Sequence, residues 1–266
     1  MSSAEDLRES SWIAQLLNFT RAGDVFTAVQ PGGGPGSRLF GGLIAAQALA
    51  AAGGTVEPAK LPQSLHLYFV RGGQYGVDVE FHVEHTRDGR AFDTRRVTAR
   101  QQGKTILEMI ASFHLPEPGA TWQRPEPVGI ELDDAITKTP DLGFASKFDI
   151  KVTPSDDSAF AVPPMWIKTQ DRIEDDPLIQ ACMLTFMSDF GPVPVAKPAG
   201  VKLHEGFAAS LDHAVWFHRP FVPHEWHRYE VIALGNADSR GLVRGSMYDT
   251  GGVLIASTSQ EALWRL

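Results

Sequence analysis

Apolar and polar positions along this chain fall into two registers, one helical and one of period two, and the order helix-then-strands occurs twice. A short amphipathic stretch covers residues 7–19. Residues 24–30 alternate as a strand does, and the Gly- and Pro-rich residues 31–37 predict a loop. Residues 39–52 are a run of Ala, Leu and Gly, the pattern of a helix buried on most sides. From Ser64 onward the alternation is that of strands, with Asp88-Gly89 and Gln102-Gly103 as hairpin turns.

The second half repeats the plan after a proline-rich linker expected at 121–145. Asp176-Pro177 predicts a helix start, with Asp as the cap and Pro at the first helical position. Leu178, Ile179, Cys182, Met183, Phe186, Met187 and Phe190 then form an apolar stripe, and Gly191-Pro192 predicts its end. Strand-like runs follow at 206–217, 227–234, 242–248 and 253–263. The echo extends to wording. Ser64-Leu-His-Leu-Tyr-Phe-Val-Arg71 returns as Leu211-Asp-His-Ala-Val-Trp-Phe-His-Arg219, and each is followed by a similar strand-turn-strand pattern. Such self-similarity implies a duplicated folding unit. The expected organisation is an α+β pair of domains, 1–120 and 146–266, each a central helix with antiparallel strands.

The net charge of -8 argues against a nucleic-acid footprint, which needs clustered Lys and Arg. The single cysteine excludes an intramolecular disulfide. No basic segment leads into an apolar run at the start, and no apolar stretch is expected to span a membrane. The closing Trp264-Arg265-Leu266 is not a good peroxisomal signal. The expected location is the cytoplasm.

Several familiar chemistries are missing. There is no Gly-x-Ser-x-Gly elbow, and the Gly-rich loop lacks the Lys-Ser/Thr end of a phosphate loop. Cys182 falls in the apolar stripe, where a thiol is structural rather than nucleophilic. His224-Glu-Trp-His227 lacks the spacing that puts two ligands on one helix face, so no metal is expected. Asp212 and His213 are strand neighbours and point to opposite faces. Asp189 falls at the end of the helical stripe, where it either reaches solvent or is a carboxylate held at a cost near a helix C-terminus. Ser210 and Gln260, taken alone, read as ordinary strand residues.

The chain resembles the acyl-CoA thioesterase II, or TesB-like, family over nearly its whole length. In the first half the resemblance rests on Phe40-Gly-Gly-Leu-Ile-Ala-Ala-Gln-Ala-Leu49, His66-Leu-Tyr-Phe-Val-Arg71 and Thr86-Arg-Asp-Gly-Arg-Ala-Phe92 with Arg95-Arg-Val97. In the second it rests on Met187-Ser-Asp189, Leu211-Asp-His213, Trp216-Phe-His-Arg-Pro-Phe221, Glu225-Trp226, Arg240-Gly241 and Ala256-Ser-Thr-Ser-Gln-Glu261. The resemblance implies a double hot-dog fold and hydrolysis of fatty acyl-CoA to free fatty acid and coenzyme A, without a cofactor. It implies a catalytic set of Asp189, Ser210 and Gln260 around a water; one site per chain is expected because the first-half counterparts, near Gly41–Gln47 and Phe113–His114, do not repeat the carboxylate-amide set. Backbone amides at the helix start, Gly41 and Gly42, become candidates for stabilising the oxyanion. Ser210 stands where relatives commonly have Thr, and Gly72 where they have Pro. The implied partners are the acyl-CoA substrate and further copies of the chain in a homo-oligomer. Two other readings stay open: an enoyl-CoA hydratase-type hot-dog enzyme, and a non-catalytic acyl-CoA-binding protein.

Overall fold

A helix made almost wholly of Ala, Gly and Leu organises the first half. The computed structural model describes residues 12–30, 32, 38–125, 129–138, 144–153, 162–202 and 205–266. Trp12–Leu16 (α1) is a short helix with Ile13 buried, and Gly41–Gly53 (α2) is the central one, buried from Gly42 to Ala52. The loop expected at 31–37 lies outside the described residues, Gly32 excepted. The chain divides into two compact units, Met1–Glu117 with Ile173–Phe186, and Pro118–Arg172 with Met187–Leu266.

In the first unit the strands are Thr20–Ala22 (β1), Val25–Ala28 (β2), Leu61–Phe69 (β3), Val79–Asp88 (β4), Phe92–Gln101 (β5) and Lys104–His114 (β6). They form an antiparallel sheet in the order β1-β2-β4-β5-β6-β3. Helix α2 packs on β3 to β6. Gln102-Gly103 is a two-residue turn with φ of 49° and 74°, the mirror-image turn that matches strand twist. Asp88-Gly89 turns more widely, with β5 starting only at Phe92; Gly89 N–H donates to Phe92 O at 3.0 Å.

Pro177–Ser188 (α3) begins as the sequence predicts. Asp176 Oδ1 accepts from the amides of Leu178 and Ile179 at 2.8 and 3.0 Å, satisfying two of the donors a helix start leaves open. Its residues through Phe186 are counted with the first unit, where α2 and α3 run antiparallel. Gly42 lies against the Phe186 carbonyl and the Phe40 ring, and Gly53 against the Leu178 side chain.

The second unit contains Ile136–Thr137 (β7), Phe148–Val152 (β8), Met165–Thr169 (β9), Phe207–Ser210 (β10), Asp212–Phe217 (β11), His227–Ala237 (β12), Arg240–Asp249 (β13) and Leu254–Arg265 (β14). The order is β11-β14-β13-β12-β9-β8-β7, with β10 also pairing β14. The segment β11-β14-β13-β12-β9 repeats β3-β6-β5-β4-β2, so the duplication seen in the sequence is a duplication of topology. The described residues of the 121–145 stretch pack on this unit: Gln123 Nε2 donates to Gly252 O, its Oε1 accepts from Leu254 N–H, and Trp166 Nε1 donates to Ile130 O. The α3 helix gives way to Gly191, at φ 92°, and a further short helix, Pro192–Val195 (α4), which the Gly-Pro stop signal concealed. One expectation needs correction: Pro177–Val195 has the length and apolarity of a membrane span. It is 61% buried inside the protein, as a core helix is, and it is interrupted at Ser188.

The two glycines of α2 give a test. A methyl at Gly42 meets a backbone carbonyl at 2.5 Å, which cannot move without shifting a helix; one at Gly53 meets the end of a flexible Leu. Gly42→Ala should destabilise the protein by about 1–3 kcal/mol despite the better helix propensity of Ala, with Gly53→Ala clearly milder. Urea midpoints at constant m-value measure both. Equal effects would refute the packing account.

Candidate functional site

The second unit buries an unusual concentration of uncharged polar side chains on adjoining elements. Period two turns His213 and Val215 of β11 inward, and likewise Thr258, Gln260 and Ala262 of β14. Tyr229 of β12 and Ser188, the last residue of α3, are fully buried beside them. Gly245 of β13 makes room, because a side chain there would collide with Thr258 Oγ1 and the Tyr229 ring.

Most of these groups bond to one another. The Ser188 hydroxyl and His213 Nε2 are 2.8 Å apart. Tyr229 OH donates to the Ser188 carbonyl at 2.7 Å and lies 3.0 Å from Thr258 Oγ1. Gln260 Nε2 donates to Ser210 Oγ at 2.8 Å. Ala214 pairs with Ser259, so the same register carried one residue back sets His213 across from Gln260. Their contact is not a well-formed hydrogen bond. Gln260 Oε1 and His213 Nδ1 are both buried with no close hydrogen-bond partner among the described residues.

Burial pushes the His213 pKa down to about 4, the Gln260 contact pulling the other way, so the ring is neutral near pH 7. Burial also raises the Tyr229 hydroxyl; the Thr258 bond opposes this and the negative charge of Asp189 adds to it. Asp189 follows directly on α3 and is 9% exposed.

Of the residues singled out in the sequence, Ser210 and Gln260 are brought into direct contact. Asp189 joins the cluster through its neighbour Ser188 and through its charge on Tyr229. Gly41 and Gly42 form the first turn of α2 in the first unit, where Gly42 also has the packing role described above. Asp212 is engaged elsewhere: its Oδ1 accepts from Glu261 N–H at 2.7 Å, next to Leu211 N–H on Glu261 O, where β10 breaks from β11. Ser188, Tyr229 and Thr258 escaped the sequence reading. Ser188 and Thr258 lie inside quoted motifs, Met187-Ser-Asp189 and Ala256-Ser-Thr-Ser-Gln-Glu261, whereas Tyr229 carries no local signal at all. Cys182 is buried and its thiol is raised, by burial first and then by Asp176. His218 and His227 have structural partners, Ser257 Oγ at 2.9 Å and Glu225 O at 2.8 Å. Among the described residues no three of His, Cys, Asp and Glu gather as metal ligands.

Two family profiles match: acyl-CoA thioesterase over residues 157–263, and acyl-CoA thioesterase N-terminal domain over 30–114. Acyl-coenzyme A thioesterase 8 from Mus musculus is 34% identical over 258 residues, covering 86% of this chain and 81% of its own. The crystal structure of an acyl-CoA thioesterase II, TesB2, from Mycobacterium marinum superposes with a TM-score of 0.80 at 32% identity, over 96% of this chain and 97% of that one. A hot-dog protein from Alicyclobacillus acidocaldarius shares the fold at 15% identity, with a TM-score of 0.75 over 97% and 99% of the two chains. The repeated helix-and-sheet plan is a double hot-dog.

The two most strongly depressed histidines predict how stability varies with pH. His213 and His227 both fall to about 4 from 6.5, chiefly by burial. The unfolded chain therefore takes up protons first as pH falls. Stability should be unaffected above about pH 6.5 and decline towards pH 4, by about 1.4 kcal/mol per pH unit for each ring. Urea unfolding at pH 7.0 and 5.0 should show His213→Gln losing less over this interval than the parent. An identical loss in both would show that His213 does not titrate on unfolding.

Proposed function

This chain belongs to the acyl-CoA thioesterase II (TesB-like) family and is an acyl-CoA thioester hydrolase, and we propose that Asp189, Ser210 and Gln260 hold and activate the attacking water. The Asp189 carboxylate takes a proton from the water as its oxygen bonds to the thioester carbonyl carbon. The tetrahedral intermediate collapses with cleavage of the carbon–sulfur bond. Coenzyme A leaves as the thiol by taking up the proton that Asp189 accepted from the water, which regenerates the carboxylate, and the acyl group leaves as the free acid. No covalent acyl-enzyme is needed. We take the acyl group to be a fatty one, as the resemblance implies.

The observation that carries this reading is the bond from Gln260 Nε2 to Ser210 Oγ, made by a glutamine that is 1% exposed. A neutral amide and a hydroxyl so held offer fixed donors and acceptors without competing for the proton. Holding a nucleophile in register is a large part of such catalysis. The hydration reading needs an Asp and a His acting on one substrate, and Asp212 is committed to Glu261 N–H.

Release of free coenzyme A, followed with a thiol reagent, tests the assignment. Asp189→Asn should lower kcat by about 10²–10⁴-fold, the range of a general base. Gln260→Ala and Ser210→Ala should each lower it by about 10–100-fold with little change in KM, as for loss of positioning. Normal turnover by Asp189→Asn would remove Asp189 from the mechanism. Loss of absorbance from an enoyl-CoA without thiol release would indicate hydration instead.

A further inference from the structure

We propose that His213 is a positioning residue: clasped at Nε2 by the Ser188 hydroxyl, it dictates which end of the Gln260 amide faces Ser210. This rests on the reading that Gln260 belongs to the water-holding set.

An amide side chain has two unlike ends, and Ser210 cannot choose between them, because a hydroxyl both donates and accepts. His213 can choose. Gln260 Oε1 and His213 Nδ1 are both buried without another close partner among the described residues, and both are satisfied when the ring proton sits on Nδ1, Nε2 then accepting from the Ser188 hydroxyl 2.8 Å away. A donor on that side of the ring is matched only by the amide oxygen, so Oε1 turns towards His213 and leaves Nε2 for Ser210, to which it donates at 2.8 Å. Ser210 then accepts from Gln260, and its own hydrogen stays available for the water or for Asp189. In the reversed arrangement Ser210 would spend that hydrogen on the amide oxygen. Two features hold the device in place. Tyr229 OH holds the Ser188 backbone at 2.7 Å, and burial keeps the ring from taking a second proton near pH 7.

The first unit shows that the fold does not need a polar pair here. The inward position of β3 is Leu65, across from Ala111 of β6, and both are buried. The second unit has His213 across from Gln260 in the corresponding strands, at the cost of desolvating two polar side chains. A core needs no such pair, whereas an oriented amide does.

The test separates the two ends of the ring, using whichever of hexanoyl-, decanoyl- and palmitoyl-CoA turns over fastest. His213→Asn keeps a donor near the Nδ1 position and loses the Ser188 contact. His213→Gln keeps a polar group near Ser188 and loses the donor aimed at Gln260. We expect kcat to stay within about 3-fold in the Asn variant and to fall about 10–100-fold in the Gln variant, with KM within about 2-fold in both. The His213→Gln/Gln260→Ala double variant should be no slower than Gln260→Ala alone, because the two act as one unit. Should His213→Gln not fold, Ser188→Ala takes its place, with a drop in kcat at constant KM expected. The inference is overturned if the Gln variant is as active as the parent, if the order of the two variants is reversed, or if His213→Gln and Gln260→Ala losses multiply. A Gln260→Ala enzyme with undiminished kcat would instead sink the water-holding role itself. Loss on Gln260→Ala without loss on His213→Gln would sink only the positioning role.

Discussion

A polar side chain removed from water must find a partner inside the protein, or it costs on the order of 1–3 kcal/mol. That constraint governs the second unit. Ser188, His213, Tyr229, Thr258 and Gln260 are all buried, and each makes its contacts with another of them or with a strand neighbour. Since they come from the end of α3, from β11, from β12 and from β14, no element can slide without orphaning a group on another. The fixed position of Ser210 is a by-product of this. Gln260 is held in the core, and Ser210 is held by Gln260. The bare Cα of Gly245 belongs to the same arrangement, because Tyr229 and Thr258 occupy the space its side chain would need.

Much of the fold was legible because its signals are local. Asp176-Pro177 starts a helix through the chemistry of a cap, and Gln102-Gly103 turns a hairpin because glycine tolerates a positive φ. The echo of strand wording revealed the duplication. The misses have equally physical reasons. Asp238-Ser239 makes the matching turn between β12 and β13 with φ of 47° and 59°, but without a glycine to advertise it. Gly191-Pro192 reads as a stop, yet Pro suits the first position of a new helix, and α4 begins there.

The site was less legible, and the register shows why. In the wording of the two halves, His66 of the first falls on His213 of the second. The burial of the strands pairs them otherwise: His66 is exposed, and Leu65 has the inward place that His213 has in β11. A shift of one residue along a strand turns every side chain to the other face. Matching histidines by spelling therefore equates a solvent-facing ring with a core one. Ser210 and Gln260 were found only through motif resemblance, because a hydroxyl and an amide carry no periodic signal. Tyr229 shows its role only once its hydroxyl is seen on Ser188 O and Thr258.

The choice of residue types in the cluster follows from the same cost. An ion buried without a counter-ion is far more expensive than a neutral dipole, so a core that must hold polar groups is best built from hydroxyls, amides and an uncharged imidazole. The second unit does this: Gln rather than Glu at 260, and a His213 that burial keeps neutral. The carboxylate is Asp189, just beyond the last turn of α3 and less completely buried than its neighbours. Neutral groups thus lie in the interior, and the carboxylate that exchanges a proton in the proposed mechanism lies at its margin. In the first unit the matching strand positions, Leu65 and Ala111, carry no polar group and are filled by apolar packing.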